Sequence, residues 1–456
     1  MSDTAKQTQV DQYISDHLNE SLNELATLCR QPSVAAQKYG IQECAELVAG
    51  MLRKRGFAVQ ILPTGGSPVV VGEAPGRSNK TMLLYNHYDV QPAEPLDLWT
   101  SPAFEPTIRD GKFFARGSGD DKGHIQCRLA ALDALKAVYG EYPCRIKFII
   151  EGEEEIGSNH LPAFIEKHQH MLKGDACLWE FGGLDYEDRP EMYLGMRGIC
   201  YVELRAKTAS LDAHSGMAGS IFPNAAWRLV WALNTLKDRN ERILIHGFYD
   251  DVLSPSERDM QMLARLPSEE EKVKETYGIK NYLKGLTGME LRREAVFVPT
   301  CTICGLTSGY EGPGSKTVLP AEASAKVDFR LVPNQTPPDI AAKLRRHLDA
   351  HGFGDIEIVQ HGGGNPARIN PDDPFIAICA RAAEEVYGKA PNVAPIIGGS
   401  GPMYPFVQVL KVPVGAAGIG YPGGRAHAPD ENFRLDDFVK GTRHTARILT
   451  RFAGMA

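Results

Sequence analysis

A chain of 456 residues is longer than one hydrophobic core supports, so two domains are expected. Hydrophobic content of 43% and charged content of 23% suit a soluble globular protein, and a net charge of −7 argues against nucleic acid as a partner, which needs a basic stripe. The N-terminal stretch has no apolar region of a secretory signal, no run approaches a membrane span, and the nine cysteines are scattered, so reduced thiols and a cytoplasmic location are expected.

Leu18, Leu22, Leu25 and Leu28 recur at helical spacing, which predicts an amphipathic helix over about Val10–Arg30 and a second near Ile41–Arg55. Short β-type runs follow at Phe57–Leu62, Pro68–Gly72, Met82–Asn86 and Arg145–Ile150, with a helix over Gly123–Tyr139 between the last two. Strands alternating with helices predict an α/β fold with a mainly parallel sheet. After Met196 the pattern changes. Ile199–Ala206, Ala321–Leu331 and Ile356–Gln360 read as strands, Pro223–Leu236 and Pro338–His351 as helices. This β-α-β-α-β order predicts an inserted α+β, ferredoxin-like domain, with the charged stretch Asp251–Arg293 as an excursion. The expected division is therefore 1–197 and 368–456 for the catalytic domain and 198–367 for the insert. Pro374–Tyr387, Val407–Val414 and Asp436–Phe452 resume the α/β pattern.

Chemistry gathers at strand ends. His87 and Asp89 leave the Met82–Tyr85 run two residues apart, so Asp89 is placed to orient the ring of His87. Asp120 and Asp121 sit together in a glycine-rich turn before a helix, where one carboxylate would suffice as a cap. Glu151, Glu153, Glu154 and Glu155 crowd the end of an apolar strand. Their mutual repulsion has no structural use, but a metal ion would offset it and leave one neighbour free as a base. Glu180 follows the Ala176–Trp179 run, and His427 lies in a Gly/Pro-bounded loop. Ends of parallel strands are where α/β sheets hold ligands.

These motifs resemble those of the M20 metallopeptidases, the family of glutamate carboxypeptidase, aminoacylase, succinyl-diaminopimelate desuccinylase and the carnosinase-type dipeptidases, with the likeness strongest to the cytosolic dipeptidase branch. The resemblance rests on NHYDVQP from Asn86, ARGSGDDKG from Ala115, EGEEEIGS from Glu151, LDAHSG from Leu211, SGYEGPGSKTVLP from Ser308, FRLVPNQTP from Phe329 and AHAPDENF from Ala426. It implies a zinc-exopeptidase-like catalytic domain with an inserted lid and dimerisation domain. It also implies two divalent ions per chain, Zn²⁺ with Mn²⁺ or Co²⁺ as substitutes. His87 and Glu180 would hold one, Glu155 and His427 the other, and Asp120 would bridge them. Three carboxylates and a bridging hydroxide then balance the two ions. Glu154 becomes the general base acting on a metal-activated water. His214, from the second subunit of a homodimer, becomes the oxyanion donor. Arg330, Gly399 and Ser400 become the grip on the substrate carboxylate. The resemblance further implies a cis peptide bond at Asp120–Asp121.

Two positions depart from the dipeptidase pattern. Family members that act on free amino termini carry Asp where this chain has Glu180, and dipeptidases carry Glu where it has Ile397. The expected reaction is therefore hydrolysis of a dipeptide or an N-acyl amino acid with release of the C-terminal amino acid. A non-peptide amide such as a carbamoyl amino acid is the alternative substrate, and a catalytically silent binding protein the alternative from another class.

Overall fold

The computed structural model describes residues 3–454; the first two and last two residues of the expected catalytic segments lie outside the described residues. The elements that carry the site are, in chain order, α1 (Asp3–Asp16), α2 (Leu18–Arg30), α3 (Ile41–Lys54), β1 (Ala58–Leu62), β2 (Val69–Ala74), β3 (Ser78–His87), α4 (Lys122–Tyr139), β4 (Cys144–Glu151), β5 (Ala176–Trp179), β6 (Gly198–Lys207), α5 (Ala225–Leu236), β7 (Thr300–Ser308), β8 (Glu322–Leu331), α6 (Pro337–Ala350), β9 (Glu357–Gly364), α7 (Pro374–Tyr387), β10 (Val414–Ala416) and α8 (Leu435–Ala453). The chain forms two compact units. One takes the chain up to Leu194, Ile369–Pro395 and the part from Pro402 on; the other takes Gly195–Arg368 and Ile396–Gly401.

The first unit holds a six-stranded sheet in the order β1-β2-β4-β3-β5-β10. β4, β3, β5 and β10 pair in parallel, and β1 and β2 add antiparallel at one edge. Every residue of β3 from Thr81 and of β4 from Ile146 is buried. Such unbroken buried runs are what central strands covered on both faces show. Helices α3, α4 and α8 pack on this sheet. Val10–Arg30, expected as one helix, is two. His17 leaves helical geometry at φ −105°, ψ 17°, its ring stacked 3.8 Å from that of Tyr13. Leu22 and Leu25 then turn inward from α2 to Phe113, Ile419 and Phe433. Val407–Val414 is not a strand. Pro405–Val409 forms a π-helical turn that buries Phe406 beside Tyr85 and Trp179, and the strand is confined to Val414–Ala416.

The second unit holds a four-stranded antiparallel sheet in the order β7-β8-β6-β9. Cys200, Val202, Leu204 and Ala206 alternate inward along β6 and meet Leu229 and Leu236 of α5 and Ile340 and Leu344 of α6. The pattern of residue types predicted three strands; β7 is the fourth. Its mixed sequence, TCTICGLTS, lies along an edge, mostly half-buried or exposed, so no periodic apolar face announces it. The charged excursion forms three short helices, Glu257–Arg265, Glu270–Tyr277 and Gly288–Phe297. No helix among the described residues is long and apolar enough to cross a membrane.

Candidate active site

β3, β4 and β5 run in parallel, with His87 of β3 opposite Glu151 of β4, so their carboxyl ends deliver His87, the Glu151–Glu155 run and Glu180 to one edge of the sheet. The Gly117–Gly119 turn before α4 brings Asp120 and Asp121 to the same place. Gly117 is needed there: its φ is +82°, and a Cβ would lie 2.7 Å from Val90.

His87 is buried. Its Nδ1 faces two acceptors, the carbonyl of Asp89 at 3.0 Å and that residue's Oδ1 at 3.4 Å, so the ring proton belongs on Nδ1. Its Nε2 points at Asp120 Oδ1, 3.1 Å away. Asp89, also buried, accepts from the Glu154 N–H at 3.2 Å and the Glu155 N–H at 3.0 Å. One carboxylate thus fixes both the histidine and the turn that carries Glu154. Asp120 Oδ2 lies 3.0 Å from His427 Nε2, and Glu155 Oε2 lies 3.0 Å from the same nitrogen. Gln91 Nε2 steadies Glu155 Oε2 at 2.9 Å. Two groups of potential ligands result, His87–Asp121–Glu180 and Asp120–Glu155–His427. Asp120 touches a histidine of each. The peptide bond between Asp120 and Asp121 is cis.

Three residues to which the motifs assigned no role support these groups. Asp121 Oδ2 accepts from Asn86 Nδ2 at 2.7 Å and the His87 N–H at 3.1 Å. Glu431, four residues after His427, is fully buried. It accepts from the N–H groups of Gly117 (2.9 Å), Gly119 (2.8 Å) and Asp120 (2.9 Å) and from Arg116 Nη1 (2.7 Å). The His427 loop is thereby tied to the Asp120 turn. That loop needs a tie, because Arg425, His427 and Asp430 all have positive φ, which side chains other than glycine adopt at some expense. Arg128 of α4 is the third. An acid four residues after a loop histidine, and an arginine inside an apolar helix, are the only sequence signals these residues offer.

The second unit carries the remaining expected site residues. Arg330 Nη1 donates to Ser400 Oγ at 2.8 Å and Nε to Asp328 Oδ2 at 3.2 Å. Ser400 Oγ donates to the Gly198 carbonyl at 3.2 Å, and the Gly399 carbonyl accepts from the Arg197 N–H at 2.9 Å. His214 is exposed. Its Nδ1 accepts from the Gly216 N–H at 3.1 Å, so the proton sits on Nε2, 3.4 Å from Thr317 Oγ1. Ile397 offers no charge, as its sequence states.

Residues 83–451 match the family model described as peptidase family M20/M25/M40. The chain belongs to the M20 family. It is 27% identical to a Beta-Ala-His dipeptidase of Rattus norvegicus across 95% of this chain and 92% of that protein. It is 28% identical to a Cys-Gly metallodipeptidase of Schizosaccharomyces pombe across 93% and 94%. Among solved structures it superposes on an M20 family metallo-carboxypeptidase of Sulfolobus solfataricus with a TM-score of 0.92 and 37% identity, covering 95% of this chain and 99% of that one.

M20 enzymes are metallopeptidases, and the residues of this member fit metal ions. Each group offers one imidazole nitrogen and two carboxylates with ligand atoms within 4.8 Å of one another. Glu180 Oε2 is buried with no hydrogen-bond partner, which is costly unless a cation faces it. The charges strain against one another in the same sense. Burial, then Glu154 and the two aspartates, hold the Glu180 carboxyl well above its ordinary range. Burial outweighs the pull of His87 and, with Asp120 and Glu155, pushes Glu154 up to about 8. Hydrogen bonds from His427 and His87 overcome burial at Asp120 and hold it below the usual carboxylate range. Those from Asp120 and Glu155 push His427 up to about 10. Mixed nitrogen and oxygen ligands suit Zn²⁺, Mn²⁺ or Co²⁺.

Proposed function

We propose that this M20 enzyme is a dinuclear exopeptidase that cleaves a dipeptide or an N-acyl amino acid and releases the C-terminal amino acid. The observation that carries it is Asp120, whose two carboxylate oxygens lie 3.1 Å from His87 and 3.0 Å from His427. Glu180 would complete the His87 site and Glu155 the His427 site, with Asp121 held back as support for His87 through its backbone N–H. When bound, the ions supply Lewis acidity to the scissile carbonyl and lower the pKa of the attacking water. Glu154 takes a proton from that water and gives one to the leaving amine. Asp89 keeps the Glu154 turn and the His87 ring in register through the bonds already described. The protonated Nε2 of His214, from the second chain of a homodimer, donates to the oxyanion. Arg330, with Ser400 and Gly399, grips the substrate carboxylate.

The homodimer draws support from the second unit alone. β7 is an edge strand with Ile303 and Leu306 exposed, and Met217, Ile221, Trp227 and Trp231 are exposed on and before α5. An apolar edge of this kind calls for cover. Substrate class is drawn from Glu180, which stands where members acting on free amino termini carry Asp, from Ile397, which gives a substrate ammonium no carboxylate where dipeptidases have Glu, and from the carboxypeptidase likeness at 37% identity. The N-acyl amino acid is therefore the favoured substrate. A panel of dipeptides and matched N-acyl and N-carbamoyl amino acids, assayed on Zn²⁺- and Mn²⁺-loaded enzyme, tests this. Faster turnover of N-acyl than of free-amine substrates is expected. Cleavage confined to carbamoyl compounds would replace the reading with the non-peptide one, and no hydrolysis of any with two ions bound would make the chain a binding protein.

A further inference from the structure

Glu180 differs from the other carboxylates of the centre in how it is held. Asp121 is fixed by Asn86 and the His87 N–H, and Glu155 by Gln91. The buried Oε2 of Glu180 has no protein hydrogen bond. Its main chain is held instead. Glu180 is the first residue past the end of the β5–β10 ladder, which closes at the Trp179–Ala416 pair. Beyond that pair the regular ladder stops until the Gly183–Gly420 bridge. Arg128 of α4, fully buried, fills the gap: its Nη2 donates to the carbonyls of Trp179 at 2.8 Å, Glu180 at 3.3 Å and Ala417. Its partners there are carbonyls rather than a carboxylate, an unusual use of a buried charge. One turn earlier on the same helix face, His124 Nε2 accepts from the Ile419 N–H at 3.1 Å, which leaves the proton on Nδ1, 3.1 Å from Asp121 Oδ1. α4 therefore starts at the aspartate turn and pins the Glu180 strand end one and two turns further along.

We infer that Arg128 is a positioning residue for Glu180: by clamping the carbonyls of Trp179, Glu180 and Ala417 it sets the metal affinity of the His87–Glu180 site and leaves that of the Glu155–His427 site unchanged. This rests on the reading that Glu180 is a ligand. Residues that orient metal ligands from behind commonly change affinity by about 10–100-fold when removed. A merely structural role would lower thermal stability and loosen both groups together.

The test is Zn²⁺ titration of the full-length protein against a chromophoric chelator, with the melting temperature followed in parallel. The wild type should bind two ions. Arg128→Met should keep one at unchanged affinity and bind the other about 10–100-fold more weakly. Arg128→Lys, whose ammonium reaches fewer carbonyls at once, should recover part of the loss. Arg128→Met combined with Glu180→Gln should lose no more than Glu180→Gln alone, whereas combined with His427→Gln it should weaken both ions. Equal weakening of both ions, no weakening, or a loss that adds fully to that of Glu180→Gln overturns the inference. Should Arg128→Met fail to fold, Arg128→Lys alone carries the comparison between the two ions. A wild type that binds fewer than two ions at saturation overturns the dinuclear reading instead, so the two failures are distinct.

Discussion

Replacing Glu431 by Gln should destabilise the first unit by about 3 kcal/mol. The carboxylate is fully buried, and its partner Arg116 is 1% exposed, with 2.7 Å between charged atoms. Breaking a buried pair and leaving one charge behind costs about 3–5 kcal/mol. The amide keeps one oxygen, able to serve the N–H groups of Gly119 and Asp120. Its NH₂ then faces two other donors, the Gly117 N–H and Arg116 Nη1, so the loss is more than that of the charge. Part is offset because the carboxylate is itself poorly solvated: burial pushes Glu431 above its ordinary range even against Arg116. The lower end of the range is therefore expected. Urea unfolding at pH 7 measures it, with Glu322→Gln as the control. That residue pairs with Lys207 at 2.6 Å but both side chains are 66% exposed, so a change within about 1 kcal/mol is expected there. A loss below about 1 kcal/mol for Glu431→Gln would refute the idea that this carboxylate ties the His427 loop to the Asp120 turn.

Glu154→Gln should retain both metal ions yet lose at least about 10²-fold in kcat, because proton transfer fails while every ligand remains; turnover within tenfold of wild type would assign the base elsewhere. Chelation should remove the ions in sequence, the Asp120–Glu155–His427 ion first, since His427 is 54% exposed while His87 is 1% exposed; simultaneous release, read by metal analysis against chelator concentration, would contradict that order. His444 is buried and held neutral, its pKa pulled from 6.5 down to about 4 by burial. The unfolded chain takes the proton first, so this contribution is complete above pH 6.5 and falls away below it, by about 2 kcal/mol at pH 5; His444→Gln should flatten that part of the pH–stability curve. Mixing and re-dimerising Glu154→Gln with His214→Ala chains should restore about a quarter of wild-type activity, since half of freely exchanged dimers are mixed and each has one intact site; no recovery with proven exchange would place His214 outside the partner's site.

Much of the fold was legible because its cues are local. The apolar runs of β3, β4 and β5 and the amphipathic pattern of α6 and α8 depend only on residue type and spacing. Where the cue is not local, the pattern misled. Phe406 packs on Tyr85 and Trp179, with ring centroids 4.8 and 5.5 Å away, and the helical turn that buries it takes in Val407–Val409, the start of a run whose residue types suggested a strand. β7 escaped notice for the opposite reason. It is an edge strand with few buried residues, and hydrogen bonding to β8 rather than burial defines it.

The candidate site divides along the same line. His87, Asp120, Glu155, Glu180 and His427 stand out because carboxylates and histidines at strand ends are hard to account for without a cation, and that is a property of each short segment. Glu431 and Arg128 carry no such mark, since most of their partners are backbone groups. Glu431 meets the N–H of Gly117 from 314 residues away, and Arg128 meets the Ala417 carbonyl from 289. A backbone partner leaves no trace in residue type, so no spacing rule reaches it. The Glu431 contacts tie the His427 loop to the turn whose Asp120 faces His87 and His427 at once. Its two oxygens are shared between a buried histidine at the end of a central strand and an exposed one in a loop of positive-φ residues. The strand end is fixed by the sheet. The loop is fixed only by what grips it, and the strongest grip is the Glu431 carboxylate. The candidate ligands can therefore be read from the chain, but the distance between the two groups is a property of the fold.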